Sequence, residues 1–122
     1  MRTILVIESD EFIRGVVAKT LTEAGYQVLT AAAEGDGLQA LEEAAVDGLV
    51  VGHADGAVDS VPILKWVRAD KQRAATPVCA ITMRATDIPK LTAAGANEVI
   101  TGPFTVEELL HVMAGLFPNP VL

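Results

Sequence analysis

Residues 3 to 11 read Thr3-Ile4-Leu5-Val6-Ile7-Glu8-Ser9-Asp10-Glu11, a β-branched and aliphatic run that stops at an acidic stretch. An unbroken apolar run of this length is the pattern of a strand covered on both faces, since a strand with one wet face alternates. Directly after it Ile13, Val16, Val17, Leu21 and Ala24 recur at helical spacing, with Ser9 or Asp10 available as N-cap and Gly25 as the stop. A doubly covered strand feeding a helix is half of a crossover unit, and its other half is a parallel strand in the same sheet.

That unit repeats along the chain. Gln27 to Ala31 is predicted as the second strand, and a short helix over Gly37 to Ala45 buries Leu38 and Leu41. Gly48 to Gly52 is the third strand; a polar loop, His53 to Ser60, leads to a helix facing inward with Ile63, Leu64 and Val67, Pro62 lying in its first turn. Pro77 to Ile81 is the fourth strand, Asp87 caps a helix closed by Gly95, and Asn97 to Thr101 is the fifth strand. Thr105 with Glu108 three residues later makes a capping box for a last helix that ends near Leu116. Five strands, each followed by a helix, predict an α/β, doubly wound parallel sheet with helices on both faces. Ligands on such sheets sit at the carboxyl ends of the strands, which directs attention to Glu8–Glu11, Gly52–Asp55, Thr82–Arg84 and Thr101–Phe104.

The 122 residues, 51% hydrophobic, suit one domain, expected over residues 1–118 with a tail at 119–122. Nine basic against sixteen acidic residues leave a charge of -7, the wrong sign for a phosphate backbone, so no nucleic-acid partner is expected. The lone Cys79 cannot form an internal disulfide and reads as an inert buried thiol. Met1-Arg2-Thr3-Ile4 runs straight into a strand without a signal-peptide pattern, so the expected location is cytoplasmic. The most apolar segment, Leu109 to Leu122, falls short of the ~18 residues of a membrane span and contains His111, Pro118 and Pro120. No Gly-rich phosphate loop, GxSxG or Cys-His pairing at a strand end is present, so an enzyme is not expected.

Ile4-Leu5-Val6-Ile7 before the acidic cluster, Gly25-Tyr26 before strand two, Thr76-Pro77-Val78 through Thr82, and Gly95-Ala96-Asn97 through Gly102-Pro103-Phe104 arrive in a fixed order. Together they resemble the receiver domain of two-component response regulators over essentially the whole chain. The resemblance implies the flavodoxin-like receiver fold with strand order 2-1-3-4-5. It further implies an acidic pair holding Mg²⁺ after strand one, an aspartate acceptor ending strand three, a Ser or Thr after strand four and a Lys after strand five. Position by position, the pair falls on Glu8 and Ser9, with Asp10 one further on; the acceptor falls on Gly52 and the lysine on Gly102, while Thr82 matches. The switch aromatic of strand five falls on Val99.

An acyl phosphate needs a carboxylate nucleophile in line with the donor phosphorus, a hard cation, and a fixed ammonium beside the equatorial oxygens. Glycine at positions 52 and 102 removes the nucleophile and the ammonium together. The expectation is therefore a degenerate, stand-alone pseudo-receiver that signals by protein–protein contact and is not phosphorylated at Gly52. Mg²⁺ binding through Glu8 and Asp10 is expected to be weak or absent. The competing reading is an active receiver using Asp55, Asp10 or Glu8 with Mg²⁺. Against it, Asp55 must reach back over much of a strand's ~3.3 Å per-residue rise, and acids at 8, 10 and 11 suit a helix N-terminus without any ligand. His53 should point to the face opposite residue 52, a structural or exposed position, and Pro103 can keep the cis bond common there in the family.

On the last helix the apolar stripe is wider than the ~100° a core-facing helix needs. By resemblance, the face built from helix four, strand five and helix five is the contact surface, carrying Val99, Leu110, Met113 and Phe117, with Trp66 a further edge candidate. The implied partner is a histidine kinase, another regulator, an effector or a second copy of the chain.

Overall fold

The computed structural model describes residues 1–54 and 58–117. Asp55 and the tail 119–122 lie outside the described residues. The elements run β1 (Thr3–Ile7), α1 (Glu11–Glu23), β2 (Gln27–Ala31), α2 (Glu34–Glu43), β3 (Gly48–His53), α3 (Ser60–Ala69), β4 (Val78–Thr82), a 3₁₀ turn (Ala85–Asp87), α4 (Ile88–Ala94), β5 (Glu98–Thr101) and α5 (Val106–Leu116). All strand pairings are parallel and the sheet order is β2-β1-β3-β4-β5.

Alternation along the strands splits the core into two layers. Leu5, Ile7, Leu49, Val51, Val78 and Ala80 pack with Leu41, Ile63, Leu64, Val67 and Leu91 from α2, α3 and α4. Ile4, Val6, Val50, Cys79, Ile81 and Ile100 pack with Val17, Leu21, Leu109 and Met113 from α1 and α5. The central strand β3 is buried at all six positions, as its continuous apolar sequence requires.

The helix boundaries differ from expectation at α2, which runs Glu34–Glu43 where Gly37 to Ala45 was expected. Glu34 and Asp36 favour the positive end of a helix. Gly37 is no breaker here, because a Cβ on it would run into the Ile7 side chain and only glycine lets α2 lie this close to the sheet. β3 also continues one residue further, through His53, which pairs in register with Thr82.

Two caps match expectation: Asp10 accepts the Ile13 N–H at 2.9 Å and Thr105 accepts the Glu108 N–H at 3.1 Å. A third, Asp59 accepting the Val61 N–H at 3.0 Å, starts α3. Asp87 does not cap α4 with its side chain, a correction to the sequence expectation. The preceding 3₁₀ turn already places Asp87 in helical backbone (φ -80, ψ -15), and its carboxylate turns inward to Thr82 instead.

Candidate functional site

The carboxyl ends of β1, β3, β4 and β5 bring Glu8, Gly52, Thr82 and Gly102 to one edge of the sheet. The β1–α1 turn is fixed by Arg14, whose guanidinium donates to the Glu8 carbonyl at 2.9 Å and reaches the Ser9 carbonyl at 3.5 Å. This turn aims the Glu8 side chain across β1 toward β3. A Cβ on residue 52 would land on the Glu8 carboxylate, with Glu8 Cδ only 2.7 Å away. Glu8 is 9% exposed, and its Oε2 accepts the Asp10 N–H at 2.9 Å. A carboxylate from a neighbouring strand thus occupies the space that a side chain on β3 would need.

The same substitution recurs at the β5 end. A Cβ on residue 102 would collide with the Met83 sulfur, and Met83 Cε lies 3.1 Å from that point. Met83 remains 59% exposed, so its thioether lies over Gly102 and faces solvent. The Gly102–Pro103 peptide is cis, as the resemblance suggested.

Thr82 is 2% exposed, and its hydroxyl donates to Asp87 Oδ2 at 2.6 Å while accepting the Arg84 N–H at 3.2 Å. Arg84 pairs with Asp87 through Nε at 3.3 Å and Nη2 at 3.1 Å, and Lys90 Nζ lies 3.7 Å from the same carboxylate. The Thr82 and Arg84 hydrogen bonds, joined by the charges of Arg84 and Lys90, hold the Asp87 carboxyl down at about 2. His53 is buried, with Nδ1 3.0 Å from the Ser60 hydroxyl and 3.3 Å from the Ser60 N–H that donates to it. It therefore serves the start of α3, the structural role its strand parity suggested. His53, Ala54, Thr82, Met83, Arg84 and Asp87 line a cleft of about 270 Å³.

These residues do not fit Mg²⁺. Glu8 bonds the Asp10 amide and lies over Gly52, Asp10 bonds the Ile13 amide, and Ser9 brings no carboxylate. Among the described residues no three His, Cys, Asp or Glu side chains converge as ligands. Among the described residues the hard oxygen set such a cation requires does not come together.

Two of the surface expectations need correction. Met113 is fully buried and Phe117 is 5% exposed, both in the core layer under α1 and α5, so neither presents a contact surface. The wide apolar stripe of α5 is explained by Phe117 bending back to fill the space beside Gly48. Leu110 is partly exposed, and Val99 is half-buried against the opposite core layer. Trp66 is likewise half-buried, with the Arg73 guanidinium 5.4 Å above its ring. Sequence reasoning passed over Phe12, which is 78% exposed. With Ile13, Val16, Met83, Pro103, Phe104 and Val106 it lines an apolar groove of about 220 Å³. The signal was an aromatic in the first turn of α1, off the helix's buried stripe.

Residues 4–114 match the family model described as the response regulator receiver domain. The chain is 30% identical over 113 residues to the transcriptional regulatory protein GltR of Pseudomonas aeruginosa, covering 89% of this chain and 46% of that protein. It is 31% identical over 119 residues to the uncharacterized transcriptional regulatory protein YkoG of Bacillus subtilis, covering 95% of this chain and 51% of the other. The chain thus spans about half the length of the curated relatives it matches. Among solved structures, the chemotaxis response regulator CheY4 of Vibrio cholerae superposes with a TM-score of 0.87 at 28% identity, covering 96% of this chain and 99% of that one.

Proposed function

The chain belongs to the response regulator receiver domains of two-component signalling, and from that premise we propose that it is an atypical member, acting by protein contact and not by phosphoryl transfer at position 52. The observation that carries this reading is the filling of the pocket from within, with Glu8 over Gly52 and Met83 over Gly102. A phosphoryl group bound there would meet the Glu8 carboxylate where a nucleophile belongs and a thioether where a cation belongs. Like charge at that distance repels, and sulfur offers an anion nothing. In this reading the domain needs no metal, acts in the cytoplasm and is a binding module rather than an enzyme.

The contact surface is the apolar groove beside that pocket. Phe12, Met83 and Val106 are 78%, 59% and 42% exposed around it. Asp10 and Glu11 precede Phe12 at the start of α1 and Glu107 and Glu108 follow Val106 on α5, all four exposed, against the nearby cation Lys19 on α1. An apolar groove with an acidic rim suits an amphipathic helix whose apolar side chains are bordered by Lys or Arg. The partner in this reading is a kinase, regulator or effector presenting such a helix. A second copy of this chain would meet its own acidic rim.

Incubation with acetyl phosphate and Mg²⁺, read by intact mass, tests the first half of the proposal. The expected result is an unchanged mass. Gain of one phosphoryl group, mapped to Asp10 or Asp55, would establish the competing active receiver.

A further inference from the structure

We infer that Asp87 is a built-in clamp on the β4–α4 junction, holding the backbone of Thr82, Met83 and Arg84 in one arrangement that sets the Met83 side chain off beside Gly102. The argument begins with hydrogen-bond capacity. A threonine hydroxyl has one proton to donate, and Thr82 gives it to the Asp87 carboxylate over a short 2.6 Å, in a site where both residues are less than 5% exposed. The same hydroxyl accepts the backbone N–H of Arg84, and the Arg84 side chain returns to both oxygens of Asp87. The ring of contacts closes from Thr82 through Asp87 to Arg84 and back, with Met83 enclosed between its two anchored neighbours.

Each link is charge-assisted or shielded from water, so opening one leaves a buried carboxylate or hydroxyl short of a partner. Lys90, on the next turn, adds a second cation 3.7 Å from the carboxylate. The ring fixes the Met83 backbone, so its side chain starts from one place beside Gly102. From there its thioether lies on the wall of the groove shared with Phe12, Phe104 and Val106. The clamp needs nothing bound in the pocket and is independent of whether any acid elsewhere in the chain accepts phosphate.

The test is methyl and amide NMR on the whole chain, comparing wild type, Asp87→Asn and Thr82→Val. Asp87→Asn keeps the shape but removes the carboxylate, and Thr82→Val is isosteric but has no hydroxyl to give. Wild type should show a single sharp Met83 methyl signal, without relaxation dispersion at residues 82–88, with and without Mg²⁺ and beryllofluoride. Each variant should bring dispersion or a second Met83 signal, and about tenfold faster amide exchange at residues 84–87. The double variant should add little to either single one, because both break the same ring. Unchanged amide signals at residues 82–88 in a folded Asp87→Asn or Thr82→Val chain would overturn the clamp, as would relaxation dispersion at those amides in wild type. If Asp87→Asn fails to fold, Thr82→Val alone decides. A phosphoryl mass gain without any Met83 change would sink the pseudo-receiver reading and leave the clamp standing.

Discussion

The two ends of the sheet are built from the same kinds of polar contact, yet only one of them stands where a receiver keeps its chemistry. At the amino end Arg68 gathers the loops before β4 and β5, donating to the Gly95 carbonyl at 2.7 and 3.1 Å, to Ala74 at 2.9 Å, to Thr76 at 2.6 Å and to Asn97 Oδ1 at 2.8 Å. Asn97 in turn accepts the Val78 N–H at 2.7 Å. At the carboxyl end Glu8 bonds the Asp10 amide, and Thr82, Arg84 and Asp87 bond one another. A working anion site keeps preorganised donors aimed at a ligand. Here Thr82, Glu8 and Asp10 bond groups of their own chain, as Arg68 and Asn97 do at the other end.

The sharpest way to break the parallel is at the amino end. Arg68→Ala removes the donor for three backbone carbonyls, and a loss of about 2 to 3 kcal/mol is expected in urea unfolding, since groups bonded to a charge are costly to leave unpaired. An Arg68→Ala chain as stable as wild type would show that these contacts are decorative. The corresponding insult at the carboxyl end should be milder. Gly52→Asp sets a side chain against the Glu8 carboxylate, but the far end of that flexible chain can yield, so about 1 kcal/mol is expected. Mg²⁺ titration of Gly52→Asp with Gly102→Lys should show no gain until Glu8→Asp and Met83→Ala clear the pocket. A gain from the first pair alone would mean that Glu8 and Met83 do not block it.

Acid sharpens the comparison at the clamp. The Asp87 carboxyl is held at about 2, below its ordinary value of 3.8. A depressed carboxyl contributes stability above the unfolded value and loses it as pH falls through the folded one. Wild type should therefore be more stable than Asp87→Asn at pH 5 to 7, and the gap should close between about pH 4 and 2 in thermal unfolding. A gap independent of pH would deny the carboxylate its role. The smallest effect on stability is expected from Phe12→Ser, within about 0.5 kcal/mol because the ring is exposed. That variant should nevertheless abolish chemical-shift changes at Met83 and Val106 when a Leu/Lys amphipathic helical peptide is added, a probe whose Leu/Glu counterpart should not bind.

The order of strands and helices was legible because each element announces itself locally: the apolar run at Thr3–Ile7, the caps at Asp10 and Thr105, the stops at Gly25 and Gly95. The missing groups at positions 52 and 102 were legible once the receiver pattern was laid on the chain. What replaced them was not. Glu8 reaches position 52 across forty-four residues of sequence and Met83 reaches 102 across nineteen, and no periodicity records such encounters. An acid before a helix predicts a cap at Asp87, but the 3₁₀ turn ahead of it redirects the side chain. Met113 and Phe117 were assigned to the surface because a broad stripe does not say which of its members find a hole to fill.

Phe117 carries one last consequence. Its ring stands in the space beside Gly48 at the start of β3, 6.1 Å from the Tyr26 ring, with the Arg2 guanidinium 5.1 Å away. The residue before β1 and the residue that caps α5 therefore meet at a single aromatic peg, at the pole of the sheet opposite the groove. Phe117→Ala should therefore loosen the start of β1 and the end of α5 together, while the groove at the other pole keeps its lining.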